Sequence, residues 1–140
     1  MPPTGRLRAL RAPLAVGALG AGAFVALAVR DPHVAGSWGS CAFLGVTGHW
    51  CPGCGGLRAV NDLAHLDVGA ALSSNAAAVL LVAGLAVWWV VWTWSRLRGV
   101  QVRWQRYLNG WTVGAATTLW VAFAVVRNLP GFEALGPAPV

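Results

Sequence analysis

Hydrophobic positions along this chain gather into three long runs set apart by polar segments, with little of the short-range alternation that marks strands. The first run, Pro13 to Val29, carries no charge, and the second, Ala76 to Trp94, is the most apolar. The third, Trp111 to Val126, reaches spanning length once Tyr107 to Gly110 are added. A helix needs about 20 largely apolar residues to cross the hydrocarbon core of a bilayer. The pattern therefore predicts an all-α fold, a three-span transmembrane helical protein with helices over 13–29, 76–94 and 107–126. A tail over 1–12, a loop over 30–75, a basic loop over 95–106 and a tail over 127–140 complete the domain plan.

Within the 30–75 loop a helical period begins after Cys54. Leu57, Val60, Leu63 with Ala64, and Val68 recur at three- and four-residue spacing, which predicts a short amphipathic helix with these residues on one face, lying on or tucked into the outer face of the bundle. Arg58 and Asp62 stand four apart, where opposite charges meet on a helix surface. Asp67 is placed to cap a short helix through Leu72, and Asn75 to cap the second span. Gly17 with Ala21, Ala18 with Gly22, and Gly110 with Gly114 give small-xxx-small spacings that let membrane helices approach closely.

Composition strengthens the membrane reading. The chain is 57% hydrophobic and 10% charged, against roughly 25% charged in a soluble domain. All of the basic residues are arginine. Arg6, Arg8, Arg11, Arg96, Arg98, Arg103 and Arg106 flank the first two spans on one side, while Arg30, Arg58 and Arg127 fall on the other. By the positive-inside rule the N-terminus is cytoplasmic, the loop extracytoplasmic and the location a cell membrane crossed several times. The same arginines flank apolar runs rather than forming a basic polar face, which excludes nucleic acid as a partner. The expected partners are the lipid bilayer and a membrane protein or a second copy of the chain. Ala26-Leu27-Ala28 after the first run also fits a signal-peptide cleavage site, so retention and removal of that run both stand. Trp88, Trp89, Trp92 and Trp94, with Trp104 and Trp111, read as an interfacial aromatic belt.

Candidate chemistry is confined to the loop. Cys51 and Cys54 enclose Pro52 and Gly53 in a tight turn at a helix start, where the helix dipole favours a thiolate. Gly55 stands where a c-type haem motif requires histidine, which excludes that group. Three uses remain open. As a structural disulfide, the pair locks the entry to the amphipathic helix, and the protein is a structural or accessory membrane component; this is the leading expectation. As a thiol–disulfide oxidoreductase, Cys51 is the nucleophile, Cys54 its partner, Arg58 the thiolate stabiliser and Cys41 a resolving thiol. As a metal site, Cys41, Cys51 and Cys54 join His49 or His65 in a tetrahedral set. His33 reads as a solvent-facing loop residue. No cofactor is indicated, and all four carboxylates lie in loops, away from any ion path.

The stretch "CPGCGGLRAVNDLAHLDVGAALSSN", the span after it and "RNLPGF" near the end resemble a family of small bacterial membrane proteins of unknown function. Its members carry a Cys-Pro-x-Cys-Gly-x-Thr-Arg signature, a Gly-Asp pair and an Asn-Pro leading into a span. Cys51, Pro52, Cys54, Gly55 and Arg58 match the signature, Asp67 the aspartate and Asn75 the asparagine. Leu57, Leu66 and Ala76 depart from it, replacing threonine, glycine and proline. The resemblance covers about residues 40 to 132 and implies a membrane fold with three spans, without an activity to inherit.

Overall fold

The computed structural model describes residues 3–100, 102–103, 106–132 and 135–136, with the backbone alone for 3–7. Trp104 and Glu133 lie outside the described residues, as does the side chain of Arg6. Among the described residues five helices follow in order: α1 Pro3–Val29, α2 Ala42–Thr47, α3 Gly56–Ala64, α4 Val68–Arg98 and α5 Gly110–Val126. Among the described residues there is no strand. Two helices, α1 from Arg8 and α4, are long and apolar enough to cross a membrane.

α5 is shorter than the 107–126 span read from the sequence. Asn109 accepts from the Thr112 backbone N–H at 3.0 Å while the Thr112 hydroxyl accepts from the Asn109 N–H at 3.1 Å. This reciprocal cap fixes the helix start at Gly110 and leaves Tyr107 to Asn109 in a turn. Its 17 residues rise about 26 Å at 1.5 Å per residue.

α1 and α4 run antiparallel, and α1 is tied at two levels, to α3 and to α4. At one end Asn61 of α3 donates to the Leu27 carbonyl at 2.7 Å. At the other, the Trp89 indole N–H donates to the Pro13 carbonyl at 2.9 Å. Both ties engage backbone carbonyls of α1, and in a helix fourteen residues separate levels by about 21 Å. Trp89 is thus drawn into the helix contact, whereas Trp88 and Trp92 stack on each other at 5.1 Å.

Gly17 makes the Trp89 contact possible, because a Cβ there would lie 2.7 Å from the indole Cζ2. Gly17→Val is expected to break the Trp89–Pro13 bond and cost roughly 1–3 kcal/mol through overpacking. Unfolding of the variant in detergent micelles, followed by tryptophan fluorescence, checks this. Gly20→Val is the control, since a Cβ at Gly20 meets nothing within 4 Å. Gly22, Gly110 and Gly114 likewise face open space in the single chain.

On the apolar face of the loop helix Val60, Leu63 and Ala64 are half-buried. Ala59, Asn61 and Asp62 are buried on α3, while Leu57 and Val68 are exposed at 45% and 53%. Hydrogen bonding decides the face. Asn61 reaches Leu27, and Asp62 accepts from the Ser74 hydroxyl at 2.8 Å and meets His33 Nε2 at 3.2 Å. His33 also bonds Asp31 at 2.9 Å, so this histidine ties the segment after α1 to α3.

Candidate functional site

The Cys51–Cys54 turn is held by side chains arriving from two directions. α4 consists of two helical pieces meeting at Asn75, whose extended backbone (φ −167°, ψ 98°) interrupts the helix. The first piece starts at Asp67, whose carboxylate accepts from the Ala70 N–H at 2.8 Å. At the kink Asn75 Oδ1 accepts from the Ala78 N–H at 2.9 Å and so caps the second piece. Its Nδ2 donates to the carbonyls of Pro52 at 2.9 Å and Cys54 at 3.0 Å. One buried amide therefore starts the long helix and holds the cysteine turn.

From the end of α5 comes the second hold. Arg127 is 2% exposed; its guanidinium donates to the Cys51 carbonyl at 2.8 Å and the Cys54 carbonyl at 3.1 Å. Asn128 clasps Trp50, accepting from its N–H at 2.8 Å and donating to its carbonyl at 2.9 Å. Among the described residues no carboxylate lies within salt-bridge distance of Arg127, and its Nε is buried without a partner.

These holds bring three sulfurs together. Cys51 Sγ is 2.9 Å from Cys54 Sγ and 3.5 Å from Cys41 Sγ, and all three lie within 4.8 Å of one another. All are free thiols, Cys54 buried and the other two half-buried. Gly55 follows in the left-handed conformation (φ 81°) and turns the chain into α3. Burial, then hydrogen bonds with Cys51 and Cys41, push the Cys54 thiol up to about 12. The Leu44 backbone N–H, then the Cys54 thiol, lower that of Cys41. The outer Cys41 ionises more readily than the inner Cys54, with Cys51 between them in space.

Before the sulfurs opens a cavity of about 640 Å³, lined among others by Trp38, Leu44, Trp50, Leu57 and Arg58. Arg58 thus stands at the cavity wall, and the Arg127 guanidinium bonds the cysteine turn. His49 is exposed and its Nδ1 engages the Thr47 carbonyl at 2.7 Å. His65 Nδ1 engages the Asn61 carbonyl at 2.8 Å. Neither belongs to the cluster of donor atoms, which among the described residues consists of the three cysteines. Sequence reasoning met Arg127 and Asn128 only as the start of RNLPGF in the resemblance and gave them no role in the site. Their only local signal is an arginine and an asparagine directly after an apolar run, and nothing in that spacing names a target 76 or 78 residues away.

Fold and site together define an all-helical protein with two helices of membrane-spanning length and a three-cysteine cluster at one end. A family model described as "Protein of unknown function (DUF2752)" matches residues 41–89, and the chain is similar to that family. The matched stretch contains all three cysteines and Asn75 and ends short of residue 132, before α5 and Arg127. No curated protein and no solved structure matches the chain.

Proposed function

We propose that the protein is a multi-pass membrane protein whose extracytoplasmic loop performs thiol–disulfide exchange. The observation that carries this is the position of Cys51 Sγ, within 3.5 Å of both other sulfurs, in a turn held by Arg127, Asn75 and Asn128 rather than by a disulfide. The turn has its shape without a sulfur–sulfur bond, which leaves the sulfurs for chemistry. The Cys51 thiolate attacks a partner disulfide, forming a mixed disulfide and releasing one partner thiolate. Cys54, after losing its proton, attacks Cys51 Sγ and releases the second partner thiolate. The partner gains two electrons as its disulfide becomes two thiols, and Cys51–Cys54 becomes the disulfide. Cys41 reopens it by attack on Cys51 Sγ, releasing the Cys54 thiolate.

Three spans with a cytoplasmic N-terminus follow from the same reading. The antiparallel pair puts Arg8 and Arg11 at the end shared with Arg96 and Arg98, opposite the cysteines, which supports the arginine asymmetry. The docking of α3 and Trp89 onto α1 supports retention of that helix. Leu66 supports the family signature: it has a left-handed φ of 63°, a region open to glycine and costly for other residues, and members carry glycine there. A second reading, an accessory loop that docks on the bilayer surface or on a partner, is favoured by Phe43, Val46 and Leu66, exposed at 52%, 87% and 88%.

Because Cys41 can also attack Cys51 Sγ, Cys41→Ser/Cys54→Ser should trap a mixed disulfide at Cys51 in intact cells, seen as a reducible band on a non-reducing gel that further replacement by Cys51→Ser abolishes. A membrane-impermeant maleimide should label reduced Cys51 in the same cells. Absence of the trapped species overturns exchange, and absence of labelling overturns the orientation.

A further inference from the structure

The three sulfurs answer a different chemical question from exchange, which needs only two at a time. Three thiol sulfurs from separate parts of the chain, one preceding α2 and two from the Cys51–Cys54 turn, converge within 4.8 Å. An ion about 2.3 Å from each of three thiolates holds those sulfurs about 4 Å apart, somewhat wider than the 2.9 and 3.5 Å edges at Cys51 and within the 4.8 Å that bounds the cluster. Small rotations about the Cα–Cβ bonds of Cys51 and Cys54 open their 2.9 Å edge to that spacing. The cavity before the cluster provides the entry path that a binding site requires.

Charge points the same way. Arg127 is a buried cation with no carboxylate partner among the described residues, a state that costs several kcal/mol per ion unless an anion compensates it. Its guanidinium is bonded to the backbone of two of the three cysteines. A thiolate cluster at that place supplies the missing negative charge. Three thiolates around a monovalent ion carry a net charge of minus two, which Arg127 reduces to minus one.

The structure assigns Cys41, Cys51 and Cys54 as a three-coordinate site for a soft monovalent metal ion, Cu(I), with Arg127 as its charge-compensating neighbour. Thiolate donors select soft metals, and a closed structural zinc site takes four protein ligands. The described residues offer a cluster of three. Binding of the ion displaces the thiol protons and involves no electron transfer. Oxidation of Cys51 and Cys54 to a disulfide removes two donors, so metal binding and exchange exclude each other at any one moment.

The test is an anaerobic titration of the reduced full chain in detergent micelles with Cu(I), in competition with a chromophoric Cu(I) chelator. One Cu(I) per chain is expected, with affinity lowered at least 100-fold by Cys41→Ser. The bound ion should protect all three thiols from alkylation in the unaltered protein, a readout that does not depend on a variant folding. Circular dichroism reports whether Cys41→Ser keeps its helices. Failure to compete with the chelator, equal affinity in a folded Cys41→Ser protein, or retention of Zn(II) but not Cu(I) would overturn the assignment. Cys41→Ser retains the Cys51–Cys54 couple, so trapping at Cys51 in a Cys41→Ser/Cys54→Ser background separates failure of the metal site from failure of exchange.

Discussion

Replacing Arg127 with methionine is expected to destabilise the protein by roughly 1–3 kcal/mol, because two charge-assisted hydrogen bonds of about 1.5–3 kcal/mol each are lost while part of the cost of burying the guanidinium without an anion is regained. Methionine fills much of the space but offers no donor, so the Cys51 carbonyl loses its Arg127 partner and the Cys54 carbonyl keeps only Asn75. The effect is read as a lower unfolding midpoint in detergent micelles, together with faster alkylation of the buried Cys54. Arg127→Lys separates charge from geometry. A lysine ammonium is a point donor where the guanidinium is a fork, so that variant should fall between methionine and arginine. A methionine variant as stable as the parent, with Cys54 still protected, would show that the turn is held by other means.

Asn75 gives the second large effect, and here two substitutions distinguish two roles. Asn75→Ala removes the cap of the long helix, about 1 kcal/mol, and deprives the Pro52 carbonyl of its donor, roughly 1–3 kcal/mol more. Asn75→Asp keeps an excellent capping oxygen. If capping were the whole role, aspartate would be nearly silent. In this structure it replaces the Nδ2 donor with an oxygen facing the Pro52 and Cys54 carbonyls, at a site 1% exposed. Asn75→Asp is therefore expected to be more damaging than Asn75→Ala at neutral pH, measured as the order of the two unfolding midpoints. The reverse order would reduce Asn75 to a cap.

The helical class and the two long apolar helices are legible from hydropathy alone, because lipid-crossing segments need only length and composition. Capping positions such as Asp67 and Asn75 are visible for a similar reason: a cap acts on the next turn, and the next turn is adjacent in sequence. The second half of Asn75's work is not visible, since its amide hydrogens reach back more than 20 residues to carbonyls that every residue possesses. Periodicity groups the apolar side chains of α3 but is silent on Asn61 and Asp62, whose burial comes from specific hydrogen bonds and ion contacts to Leu27, Ser74 and His33. Cys51 and Cys54 announce themselves by spacing. Cys41, ten residues earlier, joins them only through the fold, and the arginine beside them comes from a helix 73 residues beyond Cys54.

From Gly110 to Ala122 every residue of α5 is exposed, while its tip grips the cysteine turn through Arg127 and Asn128. A rod free along its shaft and fastened at its tip is a lever. In the three-span reading proposed above, its rise of about 26 Å falls short of a hydrocarbon layer near 30 Å, and a shift of α5 along its axis would pull on the peptide carbonyls of Cys51 and Cys54.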